Sequence, residues 1–442
     1  MNKTARRPIV AGEAAGPLGL AFLICAHIVV CCVSLIHIIN YRIPFFPAAF
    51  HVFFDPARWY VAAIAVTAFA LVSSVFLFAR FSFGYFVGFY SYTMILGYLW
   101  LNSFTDLQYD HRLAGLSAAV SAVAFLLPAL FISQPIRQII TMTPRSFDRL
   151  LTWLLILSAA TLAVGASYNF RLVSLHDMHE YRAKIDAPVI LNYLVTIVAS
   201  ALLPFAFAGF VAGKAYWRAA AALILLLLLY PITLTKIALF TPLWLVAMLM
   251  LSRLFEARIA VVLSLVLPIL FGLALITVYR QHAAFYFSMV NFRMVAVPSI
   301  AMDVYNDFFS SHDLTHFCQI SFLKPIVHCP YQDQLSIVME RAYKLGYFNA
   351  SLFATEGIAS VGVLFAPVAT FLCGLVIAIG NRLSAGLPAE FILISGAILP
   401  QALLNVPLTT VLLTHGAGIL FVLWYVTPRT LFKQASVAPM AG

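Results

Sequence analysis

Apolar runs long enough to cross a bilayer follow one another along almost the whole chain. Segments of about 17 or more predominantly apolar residues fall at 16–39, 59–79, 84–101, 114–133, 150–169, 187–212, 219–234, 237–252, 259–278, 359–380, 390–405 and 408–427. Twelve membrane-spanning helices are therefore expected. The seventh and eighth are short and are parted only by residues 234–236, as a tight hairpin or a broken element.

The polar positions break this rhythm once. Residues 279–358 gather Arg280, His282, Arg293, Asp303, Asp307, His312, Asp313, His316, Lys324, His328, Asp333, Glu340, Arg341 and Lys344 before the chain turns apolar again. This divides the chain into nine helices over 1–278, a loop or lid over 279–358, and three helices with a tail over 359–442. Within the loop, 297–309 (VPSIAMDVYNDFF) and 335–347 (LSIVMERAYKLGY) carry apolar residues at helical spacing. They predict two amphipathic helices near the membrane surface. These are too small to fold alone and must pack on the spans over a cavity. Cys318 and Cys329 lie between them. An oxidising compartment would join them in a disulfide, two free thiols being the alternative. Cys25, Cys31, Cys32 and Cys373 fall in apolar runs and read as small core residues.

Composition agrees with the pattern. The chain is 63% hydrophobic and 10% charged, against about 25% charged in soluble domains. The basic start MNKTARR precedes an apolar run that is long enough to span, with no small-residue cleavage site after it. It predicts a retained first helix rather than a removed signal. With that terminus inside, the inner connectors hold 14 of the 26 Lys and Arg and four of the 16 acids. The outer connectors are neutral. The asymmetry places both termini in the cytoplasm. It also accounts for the net charge of +10, so no nucleic-acid partner is implied.

The outer side carries the candidate chemistry. Arg280 and Arg293 stand where topology disfavours basic residues. They are either snorkelling side chains or guanidinium forks for a phosphate or pyrophosphate. Lys236 is the only charge between Arg218 and Arg253 and is a further candidate anion ligand or a snorkelling lysine. Glu356, in FATEG, is either a general base at the lip of a cavity or an acid favoured by the helix dipole. Among the outer histidines, His282 and His312 are the candidates for acid–base work. The clusters HDMHE (176–180) and HDLTH (312–316) lack a defined third ligand, and no HExxH occurs, so no metal or other cofactor is expected. No Gly-rich phosphate loop, no GxSxG elbow and no acidic pair in the first outer connector occurs either.

In layout, and in the stretch YFNASLFATEGIASVG over 347–362, the chain resembles the O-antigen polymerases. YNDFF over 305–309 and the outward arginines also fit. As sequence the resemblance covers about residues 280–365, through loose motifs. It implies an all-α, polytopic fold like that of the GT-C membrane glycosyltransferases, in a bacterial inner membrane. It implies inverting, metal-independent polymerisation of undecaprenyl-pyrophosphate-linked repeat units into a surface or exopolysaccharide at the periplasmic face. Arg280, Arg293, Lys236 and Arg341 would then bind substrate, with Arg280 and Arg293 on the donor pyrophosphate. Asn349 and Tyr305 would join them, and Glu356, His282 or His312 would take the acceptor's proton. A chain-length regulator and a flippase of the same pathway are the implied protein partners. The alternatives are an O-antigen-ligase-like transferase, a flippase or other transporter of lipid-linked oligosaccharide, and, third, a membrane acyltransferase.

Overall fold

The computed structural model describes residues 16–40, 50–175, 177–182, 185–320, 323–346 and 350–432. Among these, every regular element is helical, apart from an isolated bridge between Val52 and Thr105. The chain passes through α1 (Pro17–Asn40), α2 (Trp59–Phe78), α3 (Phe83–Leu101), α4 (His111–Phe131), α5 (Pro144–Tyr168), α6 (Val189–Ala212), α7 (Tyr216–Thr233), α8 (Lys236–Leu254) and α9 (Ala257–Tyr279). Then come α10 (Ala284–Ser311), α11 (Leu335–Tyr343) and α12 (Phe353–Ser384). Short helices α13 (Ala389–Ser395), α14 (Leu399–Leu403), α15 (Leu408–Leu413) and α16 (Ala417–Val426) end the bundle.

Ten of these helices are long and apolar enough to cross a membrane, so the chain is a multi-pass membrane protein. Phe22, Phe78, Leu243 and Leu364 point outward, as flanks in contact with lipid require, while backbone polar groups are satisfied inside the helices. The centre is α3. Its 19 residues are all buried, including Tyr85, Tyr90, Tyr92 and Tyr98. Two of these phenols find partners on other helices: Tyr90 bonds Ser264 of α9 at 2.9 Å, and Tyr98 bonds Asn306 of α10 at 3.1 Å.

The connectors sort onto two faces. On one, Arg218 pairs with Asp148 at 2.8 Å, and Arg253 with Glu390 at 3.4 Å. Arg429 closes this basic face by donating to the carbonyls of Leu383 (2.7 Å), Ala385 (3.0 Å) and Tyr425 (3.0 Å), groups left open at the ends of α12 and α16. On the opposite face, here the loop face, His51 meets Asp106 at 2.9 Å and the N–H of Thr315 reaches Ala359 at 2.8 Å.

Three elements differ from the sequence pattern. First, 297–309 is the second half of α10 and does not lie on the surface. Asp303, Tyr305 and Asn306 are buried there against α3 and α12. Length and composition qualify α10 as a span, but both its ends lie at the loop face. It leaves the end of α9 through residues 280–283, and its far end bonds the 102–110 connector, where Asp307 accepts from the Gln108 N–H at 2.7 Å. Second, α12 is not one span. In a straight helix Gly357 and Ala366 would stand about 13 Å apart, yet Gly357 packs directly on Ala366 and Thr370. The chain folds back at Gly362, whose φ of 76° and ψ of 166° only glycine adopts readily. Residues 353–361 form a short arm that rises from inside the bundle, and 363–384 descend as the full-length arm. Third, the last two expected spans are the four short helices α13–α16. Gly396, Pro407 and Gly416 interrupt them.

Candidate functional site

The turn at 234–235 sets Lys236 on the loop face. Leu234 is left-handed (φ 47°), and the Thr235 hydroxyl caps the Ala238 N–H at 3.4 Å, so α8 starts at the lysine. Arg293 lies in a stretch of α10, Ser288–Ala296, wound as a π-helix. Such widened turns shift side chains around the helix and recur at functional sites. Beside it Asn291 is buried and pinned, donating to Ser34 at 3.0 Å and to the Ile269 carbonyl at 2.8 Å. The consequence is electrostatic. Lys236 and Arg293, from different helices, stand within reach of each other's charge. Neither makes a hydrogen bond or ion pair among the described residues. Two like charges at a membrane face repel unless an anion sits between them.

Arg280 and His282 are exposed in the turn between α9 and α10 and have no partner among the described residues. Arg280 makes the turn itself, with φ 46° and ψ −116°, a conformation that non-glycine residues rarely adopt.

Glu356 lies on the short arm of α12, in a second π-helical stretch, Phe353–Ile358. It is 6% exposed, with Phe353 three residues away stacked edge-on against Phe125 of α4, at the level where Gly374 also packs on Phe125. Its carboxyl contacts the Thr355 hydroxyl at 2.7 Å and the Thr409 N–H at 3.3 Å. Tyr305 of α10 is buried within electrostatic reach of it.

The remaining sequence candidates stand apart. His312 caps the end of α10, stacked on Phe308 at 3.9 Å, with Nδ1–H donating to the Phe308 carbonyl at 2.8 Å. Arg341 of α11 pairs with Asp333 on the exposed surface. Asn349 lies outside the described residues. Cys318 and Cys329 are joined in a disulfide that closes the connector between α10 and α11. No three His, Cys, Asp or Glu side chains are placed to hold a metal ion among the described residues. The sequence candidates therefore come together as two pairs, Lys236 with Arg293 and Tyr305 with Glu356.

The sequence pattern missed a third group. Tyr109, on the connector before α4, contacts Asp303 of α10, Asn102 at 2.9 Å and Tyr98 at 3.2 Å. His111 meets the same Asn102 oxygen at 2.9 Å. Next to it Asp307 accepts from Tyr343 of α11 at 2.6 Å. Burial and the nearby Tyr98 and Asp303 push the Tyr109 phenol far above its ordinary range, and burial with Asp307 does the same for Tyr343. Both stay protonated and can donate. The signal in the sequence was Asp303 and Asp307 one helical turn apart on an otherwise apolar helix.

Comparison of the chain with protein-family models, with curated proteins and with solved structures finds no match. A cleft of about 310 Å3 between α2 and α4 is lined by Leu71, Val72, Leu127 and other apolar residues. A seam too narrow to hold a water molecule lies between α4, α10 and α12, lined by Ser117, Ser121, Asn306 and Phe353 among others. Neither touches Lys236, Arg293 or Glu356.

Proposed function

We propose that this protein is a membrane-embedded transferase that takes a lipid-linked pyrophosphate glycan at its loop face and polymerises oligosaccharide repeat units there. The observation that carries this reading is the uncompensated pair of Lys236 and Arg293. A lipid-linked donor arrives sideways through the bilayer and presents its phosphates at headgroup level. Two cations from different helices, neither with an acid partner among the described residues, fit such a group and would stabilise the charge that develops as the pyrophosphate leaves. Arg280 stands in the adjoining turn. The resemblance to O-antigen polymerases supplies the reaction class: inverting transfer at the periplasmic face, without metal. In this reading the bilayer and the lipid-linked donor and acceptor are the partners, and an attachment enzyme of the ligase type would share the same anion site.

A second reading has its own observation. A short arm that begins inside the bundle and carries a buried acid, Glu356, is the kind of broken helix that lines transport paths. It supports a translocator of the same lipid-linked substrate.

The test is glycan length on cells deleted for the gene and complemented with wild type, Arg293→Ala or Lys236→Ala. Polymerisation predicts glycan of a single repeat unit after deletion and failure of both variants to restore long chains while still inserting in the membrane. Long polymer that stays unattached or unexported would overturn it in favour of attachment or translocation.

A further inference from the structure

The cations of the basic face are not all accounted for. Among the described residues, Arg253 and Arg258 there are held by carboxylates, and Arg382 and Arg429 by backbone carbonyls. Arg145, Arg149 and Lys214 make no hydrogen bond or ion pair among the described residues. All three stand exposed at one corner of the bundle, where α5 begins and α6 turns into α7.

Packing builds this corner. Phe205 of α6 meets Phe147 of α5 edge-on at 6.0 Å, and Gly209 packs on Leu151. The end of α6 and the turn that carries Lys214 therefore lie beside the first turns of α5. Arg218, at the start of α7, reaches across to the same turns. It pairs with Asp148 at 2.8 Å and donates to the Thr152 hydroxyl at 3.3 Å, with its guanidinium 4.9 Å from the Phe210 ring centre. Arg145, Asp148, Arg149 and Thr152 recur at helical spacing and share one face of α5. The acid on that face is thus taken by Arg218, and three cations around it are left without a counter-charge.

The kind of anion follows from what lies next to them. Beyond Arg149 the same side of α5 continues as Trp153, Ile156, Leu157 and Val164, all exposed. Their helical spacing makes one apolar stripe with the arginine at its foot. On α7 Trp217 is 91% exposed, with Tyr216 exposed beside it, the placement of aromatic rings at headgroup depth. A free phosphate ion would meet only the cations. A molecule with an anionic head and apolar tails meets both the cations and the stripe.

We propose that this corner binds one anionic phospholipid from the leaflet at the basic face. Its phosphate sits among Arg145, Arg149 and Lys214, and its acyl chains lie along the α5 stripe from Trp153 to Val164. The site is at the face opposite Lys236 and Arg293, so it does not depend on the reading of that pair.

Native mass spectrometry of the full-length protein, titrated in detergent with phosphatidylglycerol or phosphatidylcholine, tests it. Wild type should bind one phosphatidylglycerol in preference to phosphatidylcholine. Arg145→Gln/Arg149→Gln should lower that affinity by roughly 25-fold, about fivefold for each cation removed at a membrane surface. Arg80→Gln/Arg137→Gln, which takes the same charge from other connectors of this face, should keep it. Trp153→Ala removes no charge and should still weaken binding. Absence of a lipid preference in the wild type would overturn the proposal whether or not a variant folds. Equal losses in the two arginine pairs would reduce the corner to the general charge of the face. Unchanged binding in Trp153→Ala, or displacement of the lipid by inorganic phosphate, would leave an anion site without a lipid. A protein dimer that excludes lipid here would assign the stripe to a second copy of the chain instead.

Discussion

Glu356 reaches the backbone N–H of Thr409, 3.3 Å away and 53 residues further along the chain. This contact ties the short arm of α12 to the first turn of α15. A half-helix that begins inside a bundle has open N–H groups and a free end. It stays in place only if its side chains are anchored to neighbours on several sides, here Phe353 on α4 and Glu356 on α15.

Replacement of Glu356 separates hydrogen bonding from charge. Glu356→Ala leaves the Thr409 N–H without its acceptor and should destabilise the protein by about 1–3 kcal/mol. Glu356→Gln keeps an acceptor and a donor and should stay near wild type. Thermal unfolding in nanodiscs reads the difference. A glutamine variant as unstable as the alanine one would mean that an ionised carboxylate holds the arm.

Gly362 makes the reversal between the two arms. At φ 76° and ψ 166° a side chain is strained whatever the space around it, at about 1–3 kcal/mol. Gly362→Ala is expected to lower the unfolding temperature and to speed hydrogen exchange in 353–361 before it affects α1 to α9. A neutral outcome would argue against the fold-back.

The cation pair makes an unusual prediction, because its function and its stability oppose each other. Lys236→Glu would set a carboxylate against Arg293 and relieve the repulsion. The variant should unfold at a temperature equal to or above wild type, yet lose binding of undecaprenyl pyrophosphate measured on the purified protein. Retained binding would remove the pair from the substrate site.

Tyr109 predicts an alkaline limit. Its phenol is raised in the folded protein above the value of about 10 for an exposed tyrosine. The folded state holds this proton more tightly than the unfolded one. The contribution of Tyr109 to stability is therefore complete below about pH 10 and declines above it. Unfolding followed across alkaline pH should show this loss in wild type and a shallower slope in Tyr109→Phe, whose neutral stability should be lower by about 1–3 kcal/mol from the unmade bonds. Identical slopes would show that Tyr109 ionises freely.

Much of the fold is written in hydropathy. The first nine apolar runs are nine helices, because a run that long must bury its backbone polar groups in a helix to exist in a bilayer at all. Lys236 was visible as a lone charge, and Arg293 as a cation on the wrong side. The reversal at Gly362 was not visible, because the apolar run through it continues unbroken and hydropathy carries no direction. The π-helical turns that bear Arg293 and Glu356 were hidden for the same reason.

The sequence by itself determined that this chain lives in a membrane, where most of its helices lie, and which connectors share a face. Each of these follows from transfer of side chains between water and lipid, a property that adds up residue by residue. The tertiary structure decided that Lys236 stands within reach of Arg293's charge, that Asp303 meets Tyr109, and that Glu356 is interior rather than at a rim. Those facts depend on which helices pack together and how each is rotated, and a pattern of apolar residues on every side of a helix leaves that rotation open.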